Sequence, residues 1–457
     1  MPSVPRRMLL NAFSMNCVSH IQQGLWTRSD TRQLEYATLA PWVELAQILE
    51  RGRFDSVFLA DVMGTYDAYR GGAGTSIANA MQIPVNDPAM LIPAMAHATE
   101  HLGFAYTSSV LQMPPFTFAR QASTLDHLTG GRVGWNVVTS YLRNAATNLG
   151  WPDLPAHDER YDRADEYLDV TYKLWEASWE EGAVLRDTAR GVHADPAKVH
   201  PIDHRGRYYE VEGPHLCEPS PQRTPLLFQA GSSTRGRAFA AQHAECVFFV
   251  ESLKALSGPA SVVRDIRSQA EGLGRDPDSI RFFQGLSPIV GATEAEARAK
   301  ADDYLESLSM EGMLAHISGS IGVDLAAIDH DAPLQSIESA AMRGWVKGIV
   351  EAEPDKTKTF SDLIRARTGE RLVIGAPEQV ADVLEAWFDA GVDGFNITYC
   401  VTPGTFTDFI EGVVPVLQQR GLAQRDYAPG TLRDKLFGRA RTGAGHPAAR
   451  YRGSLAH

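Results

Sequence analysis

One stretch of the sequence has the residue types that bind a charged group: positions 224–236 read TPLLFQAGSSTRG. An apolar run that suits a short buried strand breaks at Gly231, and Ser232, Ser233 and Arg235 follow before a helix-like segment. Backbone N–H groups, hydroxyls and an arginine at a helix start form an anion site, where the commonest anion is a phosphate. The same residues also suit an ordinary turn followed by a helix N-cap. The motif indicates a phosphorylated cofactor once its neighbours are considered.

Hydrogen-bonding side chains also follow the other apolar runs, where strand ends would bring them to one site. They are Asn16, Cys17, His20, Asp61, Tyr66, Ser108, Ser109, Asn136, Thr139 and Tyr141. This set is poor in paired carboxylates, whereas glycoside hydrolysis needs two acids across the bond. The residues therefore favour a site that binds and orients a ligand by hydrogen bonds.

Several other chemistries lack their sequence motifs. There is no G-x-x-x-x-G-K-[ST] phosphate loop, no H-E-x-x-H metal motif and no G-x-S-x-G nucleophile elbow. The glycine cluster at 71–74 does not lie between a strand and a helix, as dinucleotide binding requires. No metal site is expected, and no nicotinamide site of the Rossmann type is indicated.

The elements that must position these residues alternate along the chain. Short β-branched or aromatic runs predict strands near 8–13, 56–59, 103–110, 133–138, 225–229, 246–250, 282–290 and 395–398. Helical periodicity predicts helices near 41–50, 88–100, 116–128, 161–175, 235–243, 262–272, 294–308, 377–390 and 405–420. Eight rounds of alternation favour an α/β fold of the (β/α)₈ TIM-barrel type, with an open doubly wound sheet as the alternative.

Two connections are too long for plain loops between a strand and a helix. They cover about 139–224, after the fourth strand, and about 291–376, after the seventh. Insertions of this kind usually build lids and substrate walls at the carboxyl face of a barrel. We expect one barrel domain over 1–424 and a basic C-terminal tail over 425–457.

Composition excludes some partners. The net charge of −13 argues against binding nucleic acid or an anionic membrane. The basic tail is the exception, and we expect it to pack on the chain or on another subunit. Four cysteines without paired spacing suit reduced thiols in the cytoplasm. Neither an export leader nor an apolar run long enough to span a membrane is seen.

Long motifs resemble the bacterial-luciferase-like flavin monooxygenases, and within them the nitrilotriacetate monooxygenase component A group. The resemblance is greatest to members that oxidise long-chain alkanes and dimethyl sulfide, and it covers nearly the whole chain. The stretches that carry it are LNAFSMNCVSH at 10–20, FDSVFLAD at 54–61, PVNDP at 84–88, STLDHLTGGRVGWNVVTS at 123–140, HDERYDRADEY at 157–167, CEPSPQRTP at 217–225, GVDGFN at 391–396 and HPAARY at 446–451.

The resemblance implies a TIM barrel that holds FMN at its carboxyl face. Reduced flavin would come from a separate NAD(P)H:FMN reductase, and O₂ would be activated as a flavin C4a-(hydro)peroxide. The small or medium apolar substrate would be an alkane, organosulfide, sulfone or heteroaromatic compound. By the same resemblance Asp61, Ser108 and Asn136 contact the ring and ribityl chain, while Tyr161, Ser232 and Ser233 hold the phosphate.

The resemblance also places catalytic candidates at the reactive edge of the flavin: Cys17, His20, Tyr66, Gln82 and His316. An imidazole can donate a hydrogen bond to the distal peroxide oxygen, and a phenol or amide can fix the direction of the peroxide. Cys17 suits a buried structural thiol as well as a substrate wall. The resemblance also implies that Tyr141 contacts the flavin. The alkane-oxidising enzyme carries a histidine at this position, so the resemblance does not decide the substrate.

Two further functions compete with this one. A non-catalytic relative that stores or senses flavin would need only the flavin contacts, so His20, Tyr66, Gln82 and His316 favour catalysis. A hydrolase on the same barrel is disfavoured by the missing carboxylate pair. An eight-stranded barrel with a basic tail also suits a homodimer or homotetramer.

Overall fold

The computed structural model describes residues 6–252, 257–336 and 353–455. The strands in these residues are β1 (Leu9–Met15), β2 (Ser56–Ala60), β3 (Gly103–Ser109), β4 (Val133–Val138), β5 (Val184–Asp187), β6 (Val192–Ala194), β7 (His204–Arg205), β8 (Glu210–Val211), β9 (Leu226–Gln229), β10 (Cys246–Phe249), β11 (Arg281–Val290), β12 (Leu372–Gly375) and β13 (Gly394–Thr398).

Eight of these strands close into a parallel barrel. Their order around it is β1, β2, β3, β4, β9, β10, β11 and β13, and β13 pairs back onto β1. The closing pair β10–β11 is in parallel register, with Val247 opposite Phe282. The alternative of an open sheet is therefore wrong, because an open sheet would leave two of these strands with a single neighbour. The predicted barrel fold is confirmed.

Each barrel strand buries both faces, since side chains alternate between the barrel interior and the surrounding helices. Inside, Phe58 and Phe228 pack edge to face with ring centroids 5.4 Å apart. Some polar groups inside are paired: Asn11 Nδ2 donates to Asn396 Oδ1 at 3.0 Å, and Ser56 Oγ donates to Asn11 Oδ1 at 2.7 Å. The interior is thus a packed core and the carboxyl end is left for ligands.

Helices surround the barrel and fill its long connections. They are α1 (Leu39–Arg51), α2 (Gly74–Ala78), α3 (Ile92–His97), α4 (Pro115–Leu128), α5 (Arg143–Asn148), α6 (His157–Tyr172), α7 (Thr234–His243), α8 (Ser257–Gly272), α9 (Glu294–Glu306), α10 (Met310–Ile321), α11 (Phe360–Gly369), α12 (Pro377–Asp389), α13 (Gly404–Asp408), α14 (Val414–Gln419) and α15 (Leu432–Phe437). The helix expected over 405–420 is interrupted by a π turn at Phe409–Val413.

The two long connections meet above the barrel mouth. The first, between β4 and β9, contains α5, α6 and two small antiparallel hairpins. The second, between β11 and β13, contains α9, α10, α11, β12 and α12. Leu142 of the first connection shares one hydrophobic cluster with Leu314 and Leu363 of the second and with Tyr66, which follows β2. Residues from three parts of the chain are thereby fixed beside the mouth.

Helix α15 closes the opposite, amino-terminal end of the barrel. Leu432 and Leu436 pack among interior residues that include Phe283. The helix approaches so closely that a Cβ at Gly103 would lie 2.6 Å from Leu432 Cδ1. The residues after 424 are therefore partly built into the core.

Candidate functional site

A cavity of about 380 Å³ opens at the carboxyl ends of β3, β4 and β9. We call it the mouth cavity. Its walls include five residues predicted to contact the cofactor, namely Asp61, Tyr141, Tyr161, Ser232 and Ser233, and also Ser109 and Thr139. Its size is within the usual range for sites that bury a small-molecule ligand.

One end of the mouth cavity has the geometry of an anion site. Ser233 is the N-cap of α7, and its Oγ accepts a hydrogen bond from Gly236 N at 3.0 Å. Position 231 has no space for a side chain, because a Cβ there would lie 2.8 Å from Tyr161 Oη and 2.2 Å from Gln229 Nε2. The glycine therefore leaves its backbone accessible to a ligand. A helix start with exposed backbone N–H groups attracts negative charge.

The cation at this end differs from the one the sequence suggested. Arg235 binds Asp162 at 3.1 Å and Asp165 at 2.5 Å, so its charge is already neutralised. Arg160, on the first turn of α6, lines the mouth cavity instead. Sequence reasoning missed Arg160, although it stands directly before Tyr161 in the quoted motif at 157–167.

At the other end of the cavity, Asp61 follows β2. Its Oδ1 accepts a hydrogen bond from Val62 N at 2.8 Å. Burial is the main reason that the pKa of Asp61 rises to about 7, and the charge of Asp87 raises it further. The carboxyl group is thus partly protonated near neutral pH and can donate as well as accept a hydrogen bond.

The remaining predicted flavin contacts lie in the strands beside the cavity. Asn136 is buried, and its Nδ2 donates to Thr107 Oγ1 at 2.9 Å, while its Oδ1 has no partner. Ser108 is buried and is not part of the cavity wall, whereas Ser109 is. Ser109 Oγ shares a hydrogen bond of 2.8 Å with Ser140 Oγ. This difference follows from strand alternation, which points neighbouring side chains to opposite faces.

Behind the mouth cavity, four of the five predicted catalytic residues are linked to one another and to Tyr141. Tyr66 Oη donates to Gln82 Oε1 at 3.2 Å and is also hydrogen-bonded to Tyr141 Oη. Gln82 Nε2 donates to the backbone oxygen of His20 at 2.9 Å. The ring of His316 meets that of Tyr66 edge to face, with centroids 5.1 Å apart. We call these five residues the phenol–imidazole cluster.

Burial keeps the ionisable groups of the cluster neutral. It lowers the pKa of His20 to about 3, with a further contribution from His316, and the pKa of His316 to about 4, with one from Arg371. It also raises the pKa of Tyr66 well above its ordinary value. His20 Nδ1 is buried without a partner. At neutral pH both imidazoles therefore have one N–H donor and one acceptor nitrogen.

Cys17, the fifth predicted catalytic residue, is also buried. Burial raises the pKa of its thiol, and Asp61 adds to the shift. A thiol held in the protonated form is a poor nucleophile. Cys17 is not part of the mouth-cavity wall, so its position suits a buried structural thiol better than a substrate wall.

A second cavity, of about 410 Å³, lies on the far side of the cluster. We call it the α10 cavity. Residues of α10 and α11 line it, including Met313, His316, Ile317 and Ile364. Tyr141 lines the mouth cavity, His316 lines the α10 cavity and Tyr66 contacts both residues. The phenol–imidazole cluster thus lies between the mouth cavity and the α10 cavity, whose wall combines apolar side chains with Glu251, Glu370 and Arg371.

Comparison with known proteins decides the family. Residues 13–394 match the luciferase-like monooxygenase family. The chain belongs to that family. It is 49% identical to the dimethyl-sulfide monooxygenase of Hyphomicrobium sulfonivorans, over 98% of this chain and 94% of that protein. It is 50% identical to the long-chain alkane monooxygenase of Geobacillus thermodenitrificans strain NG80-2, over 98% of each.

A solved structure supports the same relationship. A riboflavin lyase with modified FMN and its substrate riboflavin superposes with a TM-score of 0.87 at 37% identity, covering 98% of this chain and 99% of that one. The resemblance predicted from the sequence motifs is confirmed, and the enzyme is a flavin-dependent monooxygenase.

The described residues show two further features of the enzyme. No helix among them is long and apolar enough to cross a membrane. No group of three or more histidine, cysteine, aspartate or glutamate side chains in the same residues is arranged to hold a metal ion.

Proposed function

We propose that this enzyme is the oxygenase component of a two-component system, which inserts one atom of O₂ into a small or medium apolar substrate. Alkanes, organosulfides, sulfones and heteroaromatic compounds are the candidate classes. The observation that carries the proposal is the position of the phenol–imidazole cluster. It lies between the mouth cavity, one end of which has the geometry of an anion site, and the α10 cavity, to which Met313, Ile317 and Ile364 contribute apolar side chains.

The mouth cavity fits reduced FMN. The start of α7 with Ser232 and Ser233 suits the phosphate, and Gly231 leaves room for a close approach to the backbone. Two buried oxygens without partners, Asn136 Oδ1 and Gln229 Oε1, offer acceptors to a ligand with N–H or O–H groups. When bound, reduced FMN supplies the electrons that activate O₂.

The residues around the reacting groups have distinct tasks in this proposal. His20 and His316, neutral at working pH, each donate one N–H to an oxygen of the reacting group and orient it. Gln82 and Tyr141 fix the direction of the Tyr66 hydroxyl. The aliphatic wall of α10 binds the substrate and excludes water from the site. One oxygen atom enters the substrate and the other leaves as water.

We propose a separate NAD(P)H:FMN reductase as the source of reduced flavin, because no nicotinamide motif is present in the sequence. We also propose the cytoplasm as the compartment. All four cysteines, Cys17, Cys217, Cys246 and Cys400, are free thiols, which suits a reducing environment.

The experiment that tests the cofactor is a titration of the protein with FMN and with FAD. FMN should bind more tightly, because the chain offers one phosphate site and no motif for an adenylate. Ser232→Ala should weaken FMN binding by about 1–3 kcal/mol through lost hydrogen bonds to a charged group. Ser268→Ala, at an exposed position on α8, is the matched control. Equal affinities for FMN and FAD would contradict the proposal.

A further inference from the structure

Arg160 is a buried cation without an acidic partner at the mouth cavity. It is 7% exposed, and no ion pair joins it to a carboxylate among residues 6–252, 257–336 and 353–455. Its Nε is buried without a hydrogen-bond partner, and burial lowers its pKa. An isolated buried charge is strongly unfavourable. The geometry therefore calls for an anion beside this guanidinium.

The wall of the same cavity shows which anion fits. Arg160 lines it together with Tyr161 and the serines at the start of α7. His157 also faces this end, and its Nε2 lies 3.3 Å from Ser233 Oγ. Hydroxyls, backbone N–H groups and a guanidinium together suit the several acceptor oxygens of a phosphate monoester.

Arg160 also contacts the backbone of the first long connection, outside the anion site. Its Nη1 donates to the backbone oxygen of Ser140. Ser140 has a φ of +59°, in the left-handed region that serine rarely adopts. The bond from Ser109 Oγ to Ser140 Oγ holds the same residue from the other side. This backbone conformation directs Tyr141, whose hydroxyl is bonded to that of Tyr66.

We propose that Arg160 is a positioning residue that binds the phosphate of the cofactor and, through Ser140, sets Tyr141 against Tyr66. The presence of the phosphate is thereby transmitted from one end of the mouth cavity to the phenol–imidazole cluster. The inference rests on the proposed function only in naming FMN as the phosphate ester. Riboflavin has the same ring system as FMN but lacks the phosphate. Comparing the affinities for the two flavins therefore distinguishes the phosphate contact from the ring contacts.

Binding measurements test the phosphate contact. FMN and riboflavin are titrated into the wild type, Arg160→Met, Arg160→Lys and Arg163→Met. Arg163 is a matched control, because it lies one turn further along α6 and pairs with Glu159 at 3.0 Å. Arg160→Met should lose about 10- to 100-fold in FMN affinity and little in riboflavin affinity. Arg160→Lys should recover part of the loss, and Arg163→Met should change neither affinity.

A spectroscopic readout tests the transmission. With 3-fluorotyrosine in place of Tyr141, inorganic phosphate alone should shift the ¹⁹F resonance in the wild type and in Arg163→Met, and not in Arg160→Met. A shift of the same size in Arg160→Met, or none in the wild type, overturns the inference. An FMN affinity of Arg160→Met equal to that of the wild type also overturns the inference, and it leaves the proposed function unaffected. Wild-type protein that binds neither flavin overturns both.

Discussion

At the scale of single residues, burial sets the chemistry of the site by holding its groups neutral. His20 and His316 have pKa values of about 3 and about 4, because a charged imidazole is poorly solvated at these positions. A neutral imidazole still donates one hydrogen bond, and its direction is fixed by the packing around it. Both residues are therefore suited to orienting a reacting oxygen.

Replacing either histidine should separate flavin binding from product formation. His20→Phe and His316→Phe should keep FMN affinity nearly intact and lower coupled product formation by roughly 10²-fold, the range for losing a positioned hydrogen-bond donor. Hydrogen peroxide should rise in proportion. The check is product and peroxide measured side by side. If both variants form product and peroxide in nearly the wild-type ratio, the two histidines have only a packing role.

Asp61 should make the stability of the protein depend on pH. Its pKa of about 7 exceeds the ordinary 3.8, so the folded state keeps a proton that the unfolded chain releases. This group therefore lowers stability as pH rises between those two values. Asp61→Asn should melt higher than the wild type, by a margin that grows from pH 5 to pH 8. Asp389→Asn, at an exposed position, is the control, and a margin that does not grow would contradict the shift.

At the scale of elements, the sequence predicts the barrel well because each strand is a short apolar run buried on both faces. It predicts less of what surrounds the mouth. Helix α10, which carries His316, was not predicted, although Ser309 caps its start and Gly322, with a φ of +69°, ends it. The short strand β12 was missed as well, because a four-residue run has little periodicity.

The site residues were found through motif resemblance, whereas their partners depend on tertiary packing. Arg235 stands in the phosphate motif, yet the acids of α6 neutralise it. Ser109 rather than Ser108 lines the mouth cavity, because the register of β3 decides which face each side chain takes. The spacing of residues along the chain does not predict these ion pairs and side-chain orientations, because they form only when separate elements pack together.

Helix α15 should contribute strongly to stability, because it fills the amino-terminal end of the barrel. Leu436→Ala should lower the free energy of unfolding by about 2–5 kcal/mol, the usual range for a buried leucine. Leu34→Ala, at a position that is 63% exposed, is the control. Denaturant unfolding measures both variants. A loss below about 1 kcal/mol for Leu436→Ala would show that the barrel end does not depend on this helix.

At the scale of the whole molecule, the basic tail binds acids of its own chain. Arg433 forms a fully buried pair with Glu245, with Nε and Oε1 2.8 Å apart, and Arg452 contacts Glu176 at 3.1 Å. These arginines are therefore engaged within the chain. A homodimer or homotetramer stays a prediction, and light scattering behind size exclusion would determine it.

The enzyme should not oxidise NADH by itself. With FMN, O₂ and NADH, the isolated protein should show negligible loss of absorbance at 340 nm until a flavin reductase is added, because no nicotinamide motif is present. Steady NADH turnover by the isolated chain would contradict the two-component assignment.

In the proposed function, the enzyme needs only reduced FMN and O₂ to place one oxygen atom in an apolar substrate. The most direct measurement supplies photoreduced FMN and ¹⁸O₂, without nicotinamide or reductase, together with alkanes, sulfides, sulfones and heteroaromatic compounds. Mass spectrometry then follows each product. At least one substrate should gain a single ¹⁸O atom while the second atom appears in water. Recovery of all the label as hydrogen peroxide with every substrate, while reduced FMN is bound, would contradict the proposed function.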